Sequence, residues 1–221
     1  MTTKPQITPI ISKAPRDRYI ADLVDLTRYK HKNSGFGWLL VCVDSFSKFA
    51  VVKMCYTKSA LEISEKFREI FFQIGPPLLL HTDNGKELKN ELLSIICLEF
   101  GTKQVHGRAR APWIQGQVER LNQSIKRWLS GTSDTSGDLG NYENNLQKII
   151  FNYNITNHET TKKRPFYIFM GAKLPNESTQ DNLNCLLEFQ ESEKSNKIDD
   201  ALFNEKLIDL ENLRESALIQ T

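Results

Sequence analysis

LLLHTDNGKE (residues 78–87) decides the fold. Leu78, Leu79 and Leu80 read as a short buried strand. Thr82-Asp83-Asn84-Gly85 turns the chain, so Asp83 leaves that strand at its C-terminal end. Gly75-Pro76-Pro77 stops the preceding segment, 59–72, where Leu61, Phe67, Ile70 and Phe71 recur near one face of a helix. Beyond the turn, 86–100 reads as a helix that Gly101 ends, and 102–106 as a last short strand. Upstream lie three strand-like runs, 19–26, 36–44 and 48–56. Gly35 and Gly37 supply one turn and Asp44-Ser45 begins another, which makes an antiparallel meander by spacing. Strands first, then alternating helices and short strands, predict an α/β fold: a mixed sheet flanked by helices.

Downstream, GRARAPWIQGQ (107–117) reads as a loop with a glycine near each end. Segment 118–129 is amphipathic. Val118, Leu121, Ile125 and Leu129 share an apolar stripe, and Glu119, Asn122 and Lys126 a neighbouring polar one. A Gly/Ser-rich loop (130–140), a helix (142–157) and a compact extended closing segment (165–175) follow. The Pro-punctuated residues 1–18 read as a linker and 19–175 as the core. Residues 176–221 read as an acidic tail whose terminal helix aligns Phe203, Leu207, Leu210 and Ala217.

The chain has 221 residues and a net charge of only +2, so distribution matters more than balance. From Lys103 to Arg127 the bases are Lys103, Arg108, Arg110, Arg120, Lys126 and Arg127, around the single acid Glu119. A basic segment wrapped about one carboxylate suits a polyanion held beside a metal. Four cysteines without a CxxC pair read as reduced thiols. No apolar run reaches membrane length, and no secretion signal opens the chain, so the three Asn-x-Ser/Thr triplets (Asn122, Asn154, Asn176) read as chance matches.

Two metal ions clamping a phosphate need acids converging from different elements, and Mg²⁺ prefers carboxylate oxygen. Asp22 in the apolar run YIADLVDL, Asp83 at a strand end and Glu119 on a helix fit those placements. Asp25 and Asp44 are the rival early acids. Asp22 and Asp25 are three apart, so they point to opposite faces of a strand; Asp44 reads as a turn acid.

HTDNGKE (81–87), PWIQGQVERLNQSIKRWL (112–129), the thirty-five-residue gap between Asp83 and Glu119, LVCVDSFSKFAVV (40–52) and YNITNHETTKKRPFYIFMGAKLP (153–175) together resemble the catalytic core of retroviral and retrotransposon integrases, the gypsy type above all, or host proteins derived from them. The resemblance implies a ribonuclease-H-like fold and DNA 3′-end processing and strand transfer. It implies Mg²⁺ or Mn²⁺ held by Asp22, Asp83 and Glu119, with Asn122, Lys126, Gln115, Arg108 and Arg110 on double-stranded DNA. It also implies a homo-oligomer at work in the nucleus, with no membrane partner. The family's upstream His-His-Cys-Cys zinc module and a C-terminal small barrel are not legible here. A domesticated, non-catalytic DNA- or protein-binding domain is the alternative reading, and a nuclease of the same fold a third.

Overall fold

The structure, a computed structural model, describes residues 12–106, 112–131 and 142–174. Five strands form one sheet in the order β3-β2-β1-β4-β5. These are β1 (Arg18–Asp25), β2 (Trp38–Asp44), β3 (Ala50–Cys55), β4 (Leu79–Thr82) and β5 (Lys103–His106). β1–β2 and β2–β3 pair antiparallel, whereas β1–β4 and β4–β5 pair parallel. The expected meander and mixed sheet are present.

Helices cover both faces. α1 (Ala60–Ile74) and α2 (Glu91–Glu99) lie on one side, and α3 (Pro112–Gly131) and α4 (Tyr142–Ile155) on the other. The period-2 alternation of β1 sorts its side chains between the layers. Tyr19, Ala21 and Leu23 join the α1/α2 core, and Ile20 and Val24 the α3/α4 core with Val118, Leu121 and Ile125. Asp22 therefore faces α3.

Local chemistry sets the helix ends. The Ser59 hydroxyl accepts from the Glu62 amide at the start of α1, and the Asn90 side chain from the Leu93 amide at the start of α2. Gly75 and Gly101 sit at φ +82° and +68°, where a side chain would be strained. The α2 helix starts at Glu91, later than the expected 86, because the Asn90 cap intervenes.

Two expectations fail locally. Residues 112–117 are not loop: α3 begins at Pro112, which fits a first turn because its missing N–H has no helical partner there. Gly116 therefore lies inside the helix and is no hinge. Residues 165–170 are not extended but form α5 (Pro165–Met170), with Pro165 in its first turn and Gly171 left-handed at its end. Residues 27–32, left unassigned by pattern, form a 3-10 turn.

Residues 16–17 are already tied to the fold. The Arg16 amide donates to Asp44 Oδ2, and Leu78 and Leu79 donate to the carbonyls of Arg16 and Asp17. Residues 1–11 and the tail beyond 174 lie outside the described residues.

Asp44 is buried in the β2–β3 turn. Besides the Arg16 amide it accepts from the Ser47 amide at 2.7 Å and the Ser47 hydroxyl at 2.6 Å. An amide in its place would turn a donor toward these donors. Asp44→Asn should therefore lower stability by about 1–3 kcal/mol in urea unfolding. A neutral substitution would mean the turn does not need the carboxylate.

Asn154 is likewise structural. Its side chain donates to Ala50 O and accepts from Ala50 N, both at 2.8 Å, pairing the open edge of β3 as a strand would. Buried and bonded on both sides, it cannot serve as a glycan acceptor.

Candidate active site

Register brings the acids together. In the parallel β1–β4 pair Ile20 stands opposite His81. Two residues further along β1 comes Asp22, facing α3, and two residues beyond His81 comes Asp83, whose charge bears on Asp22. Asp83 lies just past the end of β4, and its Oδ1 accepts from the Gly85 amide at 2.9 Å. Tight turning there is backed by sterics: a Cβ on Gly85 would lie 2.9–3.0 Å from Glu87 and Asp83 carboxylate atoms.

From the facing layer, α3 presents Glu119, Asn122 and Lys126. Val118, Leu121 and Ile125 are buried, which turns Glu119 and Lys126 outward. Asn122 is different. It is 9% exposed, and its Nδ2 donates to Asp22 Oδ2 at 2.8 Å. The other Asp22 oxygen accepts from the Leu23 amide at 2.9 Å. This side-chain tie joins the central strand to the helix that carries Glu119.

The electrostatics follow. Burial pushes the Asp22 carboxyl above its ordinary range, and the charges of Asp83 and Glu119 push it the same way. The Leu23 amide and Asn122 act against them. Two carboxylates whose charges add to the cost of ionising Asp22 form with it a site that a divalent cation would relieve.

Among the described residues no three His, Cys, Asp or Glu side chains form a cage that could hold one ion. Mg²⁺ seldom asks for one: it is usually bound through one or two carboxylates, the rest of its shell being water and substrate phosphate. The all-oxygen donor set fits such an ion. So does Asn122 Oδ1, which is buried without a hydrogen-bond partner beside Asp22, where a hydrating water could donate to it.

Of the rival acids, Asp25 is exposed and accepts from the Thr27 amide and hydroxyl at 2.9 and 2.7 Å. Those bonds hold its carboxyl below the usual range. Asp44 belongs to the turn described above. Gln115 lies in the first turn of α3, but its side chain is outside the described residues, as are Arg108 and Arg110. The expected reach of these three onto DNA thus lies outside what the structure describes.

Sequence reasoning placed Asn122 on DNA and missed its bond to Asp22. Its helical phase with Glu119 was visible, but the depth of the groove between α3 and β1 was not. For the DNA joining that the integrase resemblance implies, Asn122→Ala should cost about 10–100-fold, as does losing a partner that orients a metal ligand, while leaving the fold intact. Unchanged joining would show that Asp22 needs no such support.

A cavity of about 750 Å³ opens elsewhere, on the other flank of α3, lined among others by Ser124, Trp128, Tyr153 and His158. Burial and the nearby Lys48 and Arg120 charges depress His158 to about 4, so it is neutral at pH 7. Acids of the site do not line this cavity.

A five-stranded mixed sheet with helices on both faces and acids at its centre is a ribonuclease-H-like fold of the integrase catalytic-core kind. Comparison with known proteins agrees. No protein-family model matches the chain. In sequence it is 30% identical over 146 residues to the bovine (Bos taurus) gypsy retrotransposon integrase-like protein 1, covering 65% of this chain and 28% of that protein. It is 33% identical over 108 residues to the Gag-Pol polyprotein of feline leukemia virus, covering 48% of this chain and 6% of that one. The chain spans half or less of the length of these curated relatives.

In structure it is similar to the catalytic core domain of BIV integrase, with TM-score 0.57, 19% identity, and coverage of 70% of this chain and 94% of that one. The HTLV-2 integrase catalytic core in complex with magnesium gives TM-score 0.54, 21% identity and coverage of 71% and 97%. The likeness to retroviral and retrotransposon integrases holds in both sequence and fold.

Proposed function

We propose that this chain is a metal-dependent polynucleotidyl transferase that processes DNA 3′ ends and joins them to target DNA. The observation that carries the reading is the β1–β4 register, which sets Asp22 and Asp83 side by side under the helix bearing Glu119. The magnesium reported for the HTLV-2 core supports Mg²⁺ or Mn²⁺ here, with Asp22, Asp83 and Glu119 as the residues that would hold it. Bound there, a divalent ion supplies Lewis-acid stabilisation of charge on the phosphate.

In the first step a water oxygen bonds to phosphorus and the O3′–P bond breaks. This frees a 3′-hydroxyl and leaves the phosphate on the excised fragment. In the second step that 3′-hydroxyl bonds to a target phosphorus and displaces the target's own 3′-oxygen. Asn122 fixes Asp22 during both. Lys126 meets backbone phosphate, which positions DNA without reading its sequence. Arg108, Arg110 and Gln115, just ahead of Glu119 in the chain, extend this contact. The natural partner is double-stranded DNA, with copies of the chain acting together in the nucleus.

A labelled DNA end incubated with the chain and Mn²⁺ tests the reading. Joined product supports it. Shortened ends without joining mean a nuclease, and binding without either product means a domesticated DNA-binding domain. Binding should also weaken with salt, and Lys126→Ala should flatten the log–log slope by about one unit. Arg127, on another face of α3, is expected to matter less. Equal effects from the two would misplace the DNA path.

A further inference from the structure

The outer face of α2 leaves large apolar side chains in water. Leu93, Ile96 and Cys97 point inward, which turns Ile95 and Leu98 outward at 54% and 82% exposed. Phe72, near the end of α1 and 71% exposed, stands edge-on to Phe100 with ring centroids 5.3 Å apart. The apolar surface therefore continues from α2 onto α1. Contiguous exposure of this kind marks an interaction site.

The chain carries a matching surface of its own. Phe203, Leu207, Leu210 and Ala217 are spaced to fall on one face of a helix. That segment lies outside the described residues. The described chain ends at Leu174, four residues beyond α5, and Phe169 of α5 packs on the α1/α2 side of the sheet. α5 itself packs on α4 and stacks on Phe49, at the β3 edge, whereas α2 lies by β5 at the other edge, so the tail must cross α1 to reach it. Residues 175–202, 28 in all, separate that point from the stripe. A coil of that length would span about 26–32 Å, roughly the width of a small domain.

We propose that residues 203–217 dock in cis, as an amphipathic helix, on the outer face of α2 through Ile95, Leu98 and Phe72. Occupancy within one chain follows from this tether, which holds the stripe near its groove at high effective concentration. A second copy would have to compete with it.

Hydrogen exchange of the full 221-residue chain, read by mass spectrometry, tests this. At a concentration where sedimentation gives the monomer mass, amides 203–217 should exchange at least about tenfold slower than a free peptide. Ile95→Glu with Leu98→Glu should abolish that protection and leave β1 and β2 unchanged, since both positions are exposed. In a second measurement, Leu98→Cys should react several-fold faster with a bulky maleimide once Leu207→Glu and Leu210→Glu are added. An unprotected tail, protection that survives the α2 substitutions, protection that appears only with a dimer mass, or thiol reactivity indifferent to the tail would each overturn the proposal.

Discussion

Glu119→Gln should leave DNA binding intact and reduce both end cleavage and joining by about 10³-fold or more. The substitution keeps the side chain's shape and its place on the outer surface of α3, so the fold should be indifferent to it. What it removes is one of the two carboxylate charges that bear on Asp22. Charge stabilisation by a bound ion is worth several kcal/mol, and each 1.36 kcal/mol is about a factor of ten in rate. Phosphate contacts come from other side chains, so fluorescence anisotropy with labelled duplex should give nearly the wild-type affinity. Wild-type joining in this variant would remove Glu119 from the site and take the metal assignment with it.

A comparable loss is expected for Asp22→Asn, but not for Asp25→Asn. The two residues share strand β1 and differ in face. Asp22 lies in the groove under α3, tied to Asn122, whereas Asp25 is exposed and engaged with Thr27. Asp44→Asn should lose activity only through lost stability, and cooling should restore it. The pH dependence separates Asp22 from Asp25 as well, since the Thr27 bonds hold the Asp25 carboxyl below its ordinary range. Burial raises the Asp22 carboxyl in the folded protein. Without metal, its contribution to stability therefore falls as pH rises from the ordinary carboxylate value to the raised one. Replacing it with Asn should erase that part of the pH profile in thermal melts. Metal found on Asp25, or full activity in Asp22→Asn, would sink the assignment.

Much of this was legible because it rests on short-range rules. Alternation along YIADLVDL places Asp22 and Asp25 on opposite faces with no knowledge of the partner strands. Three leucines before ThrAspAsnGly gave a strand with an acid at its end. Legibility failed where a local cue had two meanings. Gly116 and Pro112 read as loop residues, yet α3 runs through both. Pro165 and Gly171 mark the start and end of a helix as well as they mark a turn. The bond from Asn122 to Asp22 was not legible, since whether a polar side chain on a helix meets solvent or a buried acid depends on how close β1 lies to α3. That distance is set by packing of Val118, Leu121 and Ile125 on Ile20 and Val24, a tertiary matter.

The bonds between the early hairpin and the late helices have a consequence for how the molecule comes into being. Asn122 reaches back 100 residues to Asp22, Asn154 reaches 104 to Ala50, and the Tyr142 hydroxyl reaches 106 to Phe36 O. During synthesis the meander is made first, with Ile20, Val24, Leu39, Val41, Val43 and Val52 lining a face that, among the described residues, α3 and α4 cover. Closing loops of this length is slow and entropically costly. A nascent chain stopped before Pro112 would present a sheet dry on one side and bare on the other, the kind of surface that aggregates or recruits a chaperone. Asp22 and Asp83 neighbour each other within the sheet, but Glu119 meets them only when α3 closes that face, so the set of three acids is completed last.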